Sequence, residues 1–174
     1  MRRGLCDAAR VQPPERLDPA ACAVELLALQ RVSYRVEAGL IGSDAIPALH
    51  DSAETLAAAG LTWLAFRDDH GLLAAAALSE TAEEVDLERL VVAPRAFRRG
   101  LGRRLVTAVL AHARDRRVVV STGRDNAPAR ALYASLGFAP TGEREVPPGL
   151  VLVSYGFPAD RATNSTSNPS EFSR

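Results

Sequence analysis

A chain of 174 residues, with 47 % hydrophobic and 24 % charged residues, has the proportions of one globular domain with a full core. Its 21 basic and 21 acidic residues cancel to a formal net charge of zero, which argues against a general nucleic-acid binder and its basic face. Cys6 and Cys22 make neither a metal spacing nor a disulfide scaffold, no apolar run reaches membrane-spanning length, and the basic start at Met1 leads into no apolar leader segment; a cytoplasmic protein without a metal site is expected.

In chain order, Asp7 to Gln12 reads as a short edge strand. Asp18 suits a helix N-cap with Pro19 at the first helical position. The helix carries apolar Val24, Leu27, Leu29 and Val32 to about Ala38, and Gly39 and Gly42 break it. Leu40 to His50 reads as a loop. Asp51 and Glu54 predict a capping box for a short helix that stops at Gly60. Thr62 to Arg67 and Leu72 to Ser79 read as a hairpin around Asp68-Asp69-His70-Gly71. The alanines from Ala74 to Ala77 would also suit a helix, but a short run after a hairpin turn favours a strand.

A central strand then starts near Glu84 and carries Leu87, Leu90, Val91 and Val92. Pro94 ends it, having no N–H to give to a ladder. From Leu101 the apolar positions turn helical, with Leu105, Val106, Val109 and Leu110 on one face. Val118 to Thr122 reads as a buried strand. Asn126 caps a helix that has Pro128 in its first turn and stops at Gly137. Phe138 to Val146 and Leu150 to Phe157 read as strands around Pro147-Pro148-Gly149. The polar stretch from Arg161 to Arg174 offers too little apolar surface to offset its ordering entropy, so a single domain over residues 1–160 and a disordered tail are expected. The order is that of a mixed α/β domain with a crossover helix between the strands near Val92 and Val120.

The turn Arg98-Arg99-Gly100-Leu101-Gly102 lies between strand and helix. Two glycines permit a tight turn and close backbone approach. The first amides of the helix lack intrahelical partners and sit at the positive end of its dipole, which suits a phosphate or pyrophosphate. The dinucleotide fingerprint fails, because its third glycine would fall at Leu105. The Walker A loop fails as well, because all 21 basic residues are arginine and none is lysine.

The stretch Val92-Ala93-Pro94 followed by Gly100-Leu101-Gly102 resembles motif A of the GNAT superfamily of N-acetyltransferases. Asn126, Ala129, Leu132, Tyr133, Gly137 and Phe138 resemble its motif B, in the expected order. Phe97 departs from the Gln or Arg of motif A. The resemblance implies a mostly antiparallel sheet with splayed central parallel strands and about four flanking helices. It implies acetyl-coenzyme A as co-substrate, with the pyrophosphate on the backbone of Arg98, Arg99, Gly100, Leu101, Gly102 and Arg103. The pantetheine arm would lie along Leu90, Val91 and Val92, with Asn126 in hydrogen-bond reach.

Tyr133 is then the expected general acid for the departing thiolate, since a phenol stays protonated where a thiol ionises. An amine nucleophile must lose a proton, and Glu88 is the expected acceptor, with Asp86 its rival. Alternation places both carboxylates on one face with Leu90 and Val92; a β-bulge, which the resemblance makes common in the central strand, would spoil it, and pairing with Arg89 of a neighbouring molecule or with Arg67 of another strand is the bland alternative. His50, His70 and His112 are lesser candidates, and Tyr34 and Glu37 end the first helix where they would line the acceptor site. The expected function is acetyl transfer to a primary amine by a monomer or homodimer; the alternative is a non-catalytic acyl-coenzyme A sensor.

Overall fold

The computed structural model describes residues 12–42, 46–146 and 149–159. A seven-stranded sheet runs in the order β1-β2-β3-β4-β5-β7-β6. The strands are β1 (Glu15–Leu17), β2 (Thr62–Asp68), β3 (Gly71–Glu80), β4 (Glu84–Val92), β5 (Arg117–Gly123), β6 (Ala139–Val146) and β7 (Leu150–Phe157). Among the described residues four helices accompany them: α1 (Pro19–Ile41), α2 (Ala53–Ala58), α3 (Leu101–Ala113) and α4 (Ala127–Ser135). Every strand pair is antiparallel except β4 with β5, which the crossover through α3 makes parallel.

Two helices sandwich the middle of the sheet, and this explains the alanine run. Both α1 and α3 pack on β3 and β4. Arg89 reaches Gln30 of α1, whereas its neighbour Leu90 lies against Gly102 of α3, so the helices cover opposite faces. Ala74 to Ala77 are completely buried between them. Alanine's helix propensity loses to a strand buried on both faces, where small side chains let both helices approach.

The helices refine the boundaries read from sequence. Asp18 does cap α1, accepting from the Ala20 amide. Yet α1 continues through Gly39 to Ile41 and ends at Gly42, in the left-handed conformation at φ 65°. A glycine inside a helix costs about 1 kcal/mol, which a long packed helix absorbs. The stretch expected to be loop holds a 3-10 turn at Pro47–His50. The cap of α2 is Ser52 with Thr55, each side chain taking the other's backbone N–H, and not the expected Asp51 with Glu54. The edge strand is Glu15–Leu17, beyond the expected Asp7 to Gln12; residues 7–11 of that stretch lie outside the described residues, as does the tail 161–174.

Three features of the sheet position the site. First, β4 and β5 pair only from Glu84–Leu87 to Arg117–Val120, and beyond this they part, leaving a wedge between Glu88–Val92 and Ser121–Gly123. Second, Leu78 faces Leu87 while Ala77 faces Arg89, so Glu88 is the extra residue of a β-bulge. Third, both edges are short or interrupted: β1 has three residues, and the register of β6 slips between Pro140 and Gly142.

Candidate active site

The wedge opens at the N-terminus of α3. Gly100 caps that helix with φ 73°, and Arg98 before it also has positive φ, at 61°. The alternation turns successive amides toward one side, a concave anion site of the kind backbone nests form. The Phe97 amide bonds Pro94 and the Arg104 amide bonds Gly100, but among the described residues the amides from Arg98 to Arg103 donate to no acceptor outside regular helix and strand pairing. Beside them is a cavity of about 750 Å³, walled by Val36, Leu40, Phe97, Gly102, Pro128 and Leu132. A Cβ on Gly102 would sit 3.5 Å from Leu132 and 3.9 Å from Val92, filling the space where the backbone lies open.

The arginines of the loop divide their work. Arg103 donates to Ser135 at 2.7 Å and Arg104 to the Gln12 carbonyl at 2.7 Å, with its guanidinium 4.1 Å above the Phe66 ring. Arg98 and Arg99 are exposed. Phe97, where the resemblance expects Gln or Arg, is 41 % exposed and adds an apolar wall to the cavity.

Deeper in the wedge, a cavity of about 240 Å³ brings Tyr34 and Glu37 of α1 together with Glu88 of β4 and with Asn126 and Tyr133 of α4. A third cavity of about 350 Å³ continues on the far side, walled by Ile41, Ile46, Arg144 and Leu152. Tyr34, Glu37, Glu88, Ser121 and Thr122 line both, so they stand at the junction. The result is a passage with two mouths, one lined by free amides and the other by carboxylates and apolar side chains.

Tyr133 is 3 % exposed, with Phe138 and Tyr155 ring centroids 5.7 and 5.9 Å away. Burial, then the neighbouring Glu37 and Tyr34, push its phenol well above the ordinary tyrosine range. Tyr34 is shifted the same way, by burial first and Glu37 next. Both phenols hold their protons.

The bulge changes the expected strand face. Glu88 and Arg89 follow one another on the α1 side, and Leu90 and Val92 turn toward α3. Asp86 and Glu88 therefore do not share a face with Leu90 and Val92. Leu90 and Val92 line the wedge, Val91 is buried, and the Val92 amide donates to the Ser33 hydroxyl of α1 at 3.2 Å.

Glu88 is exposed and its Oε1 accepts from the Ser79 hydroxyl at 2.8 Å. Within this chain, among the described residues, neither Arg89 nor Arg67 pairs with these carboxylates. Arg67 binds Glu15 and Glu25. Arg89 binds Asp51 and, at 2.6 Å, the completely buried Gln30. Asp86 lies opposite Ser79; burial, with Glu88 and Glu84 adding repulsion, raises its carboxyl to about 6.

The histidines fall elsewhere. His50 is exposed at the end of the 3-10 turn, His70 sits in the β2–β3 turn, and His112 bonds Glu80 at 2.9 Å. Glu37 gains a larger place than its position at a helix end suggested. Among the described residues no group of three His, Cys, Asp or Glu side chains could hold a metal, and no helix is long and apolar enough to cross a membrane.

The sequence matches the family model described as Acetyltransferase (GNAT) family over residues 25–138. It is 33 % identical over 134 residues to UPF0157 protein YqkA of Bacillus subtilis, a similarity covering 76 % of this chain and 39 % of that protein. The chain thus spans about two fifths of the length of that relative. The fold is similar to the ribosomal-protein-S18-alanine N-acetyltransferase of Escherichia coli, with a TM-score of 0.69 at 20 % identity, over 87 % of this chain and 96 % of that one. It is also similar to PaiA N-acetyltransferase of Thermoplasma acidophilum, solved in complex with coenzyme A, with a TM-score of 0.63 at 14 % identity, over 84 % of this chain and all of that one.

Proposed function

The chain belongs to the GNAT acetyltransferase family, and on that premise we propose that it moves the acetyl group of acetyl-coenzyme A to a primary amine by direct transfer in a ternary complex. The observation that carries this reading is the parting of β4 from β5 beside the free amides of α3. An extended thioester arm needs a slot with exposed strand edges, and its pyrophosphate needs amides without partners. The open space at Gly102 and the adjoining cavities fit both requirements.

Each part of the passage has a task in this reading. The amides from Arg98 to Arg103 hold the pyrophosphate, with Arg98 and Arg99 adding positive charge. The wedge edge along Leu90, Val91 and Val92 takes the pantetheine arm, with Asn126 beside it. Tyr133, kept protonated by burial, donates to the sulfur as it leaves. A junction carboxylate, Glu88 or Glu37, takes the proton that the acceptor ammonium must lose before it can attack. The second mouth admits the acceptor, so both substrates are held at once and no acyl-enzyme is required. We place the protein in the cytoplasm, with no role for nucleic acid.

Coenzyme release measured across a library of primary amines tests the proposal, alongside the Tyr133→Phe variant. Turnover with at least one amine is expected. Tyr133→Phe should lower it by about 10²-fold or more while coenzyme affinity stays within a factor of about two, because the phenol proton is needed only as the thiolate departs. Tight coenzyme binding with no transfer to any amine would make the chain an acyl-coenzyme A sensor instead.

A further inference from the structure

Resting on that acetyl-transfer reading, we propose that Glu37 of α1, rather than Glu88, is the carboxylate that takes the proton from the acceptor ammonium, and that Asn126 is the residue positioning it. Both carboxylates line the junction and the acceptor cavity. They differ in what already holds them. Glu88 is exposed on the bulge, and Ser79 occupies one of its oxygens at 2.8 Å. Glu37 is half-buried and, among the described residues, has no cationic partner. The guanidinium beside it, Arg89, is committed to Asp51 and Gln30. Among the described residues no ion pair uses the charge of Glu37, which leaves it available to the acceptor ammonium.

Asn126 fixes where that charge sits. Its Oδ1 accepts the Ala129 amide at 3.2 Å as the cap of α4. That bond leaves the side-chain NH₂ free to donate, and Asn126 lines the inner cavity together with Glu37, whose carboxyl it draws downward. Asn126 is 7 % exposed, so the cap bond holds its amide at the helix start, inside the cavity that Glu37 also lines. The cavity thus sets Glu37 of α1 against the start of α4, the helix that also carries Tyr133. The groups facing Glu37 are Tyr34 on its own helix, Glu88 and Arg89 with its partner Asp51, Tyr133 from α4, and Arg144 across the acceptor cavity. Burial raises the Glu37 carboxyl above the usual range, and the Asn126 side chain draws it part of the way back. Such an acid takes a proton from the bound ammonium and still gives it up to solvent.

The protons balance with this assignment. The ammonium loses one proton to Glu37, which returns it to solvent through the acceptor mouth. The free amine's electron pair forms the carbon–nitrogen bond as the carbon–sulfur bond breaks, its electrons leaving with sulfur. The sulfur takes the Tyr133 proton, and the second nitrogen proton replaces it on the phenol. The products are the amide, the thiol and one proton.

Three variants separate the candidates: Glu37→Gln, Glu88→Gln, and Asn126→Ser, which keeps a capping oxygen and removes the NH₂. In ligand-free protein labelled with ¹³C at glutamate carboxyls, one resonance should titrate above the ordinary range. It should vanish in Glu37→Gln and titrate higher still in Asn126→Ser, since losing a donor to the charged form favours the proton. In turnover, Glu37→Gln should lower kcat/KM by about 10²-fold or more, Glu88→Gln by less than about tenfold, and Asn126→Ser should move the rising limb of the pH profile upward. Coenzyme affinity by calorimetry should hold in the two Gln variants, which also reports that they fold. An active wild type with a near-normal Glu37→Gln, a loss that follows Glu88→Gln, or no elevated resonance lost in Glu37→Gln would each overturn the assignment. A wild type that transfers to no amine would fail the acetyl-transfer reading, and the assignment with it.

Discussion

Asp86 shows what a single carboxyl costs when no partner among the described residues compensates its burial. Its proton is held to about pH 6 by burial and by the neighbouring Glu88 and Glu84. In the unfolded chain an aspartate titrates near 3.9. Between those values the folded state binds more protons than the unfolded one, so stability falls as pH rises through that window and stays reduced above it. Asp86→Asn removes the penalty. It should raise Tm at about pH 7.5 and leave it nearly unchanged at about pH 3, where both states are mostly protonated; thermal unfolding at the two values checks this. A gain of equal size at both would mean that packing, not ionisation, is responsible. The acid itself was legible as a carboxylate on a buried strand. What compensates its neighbours was not: Gln30 and Arg89 are 59 residues apart, and no local pattern announces their bond. Asp51 looked like a cap because it precedes a helix, but the Ser52–Thr55 pair performs that task and frees Asp51 for Arg89.

Among the elements, the β4–α3 turn was the most legible, because its residues obey local rules. Proline ends a ladder, glycine permits positive φ, and the apolar period changes from strand to helix at Leu101. Gly100 is where the rule is strictest. A Cβ there would touch nothing within 4 Å, yet φ is 73°. Gly100→Ala should therefore cost about 1 kcal/mol of backbone strain with no steric clash. If the cap relaxes to relieve it, the amides turn and coenzyme affinity falls, by roughly tenfold for each 1.4 kcal/mol of binding lost. Calorimetry and a melting curve on the same sample read both effects. Unchanged affinity would show that the amides do not depend on this conformation. The family resemblance allows a bulge in this strand, but its position at Glu88 lay beyond local rules. Alternation gives the wrong face for Leu90 and Val92, and a two-against-one step depends on the partner strand, whose register Leu87 to Arg89 do not encode.

For the whole molecule, the crossover followed from the sequence of elements and the splay of the central strands from the family resemblance, while the strand order and the joined cavities did not. The passage exists because of where three separate parts end or stop pairing. β4 and β5 part after Leu87 and Val120. α1 runs one turn further than its glycines suggested, bringing Ile41 so near β5 that a Cβ on Gly123 would lie 3.0 Å from it. α4 delivers Tyr133 and Asn126 from the other side. Each part is a length or a pairing limit, and such limits are set by tertiary packing rather than local propensity.

The two margins of the sheet bear on how this protein behaves among its own copies. A strand with one side free is a template on which another chain can continue the ladder, the first step toward precipitation. Here one margin is only three residues long. The other, β6, is solvent-facing along nearly all its length, but the break between Pro140 and Gly142 disrupts its line and Glu143, Arg144 and Glu145 crowd its far half with charge. A copy docking there would bury those charges without partners or stop at the proline. The double change Glu143→Val and Glu145→Val, on exposed positions, should leave Tm almost unaltered. It should also make concentrated samples scatter light within hours where the parent stays clear. A variant that remains clear would place the safeguard in the irregular backbone alone.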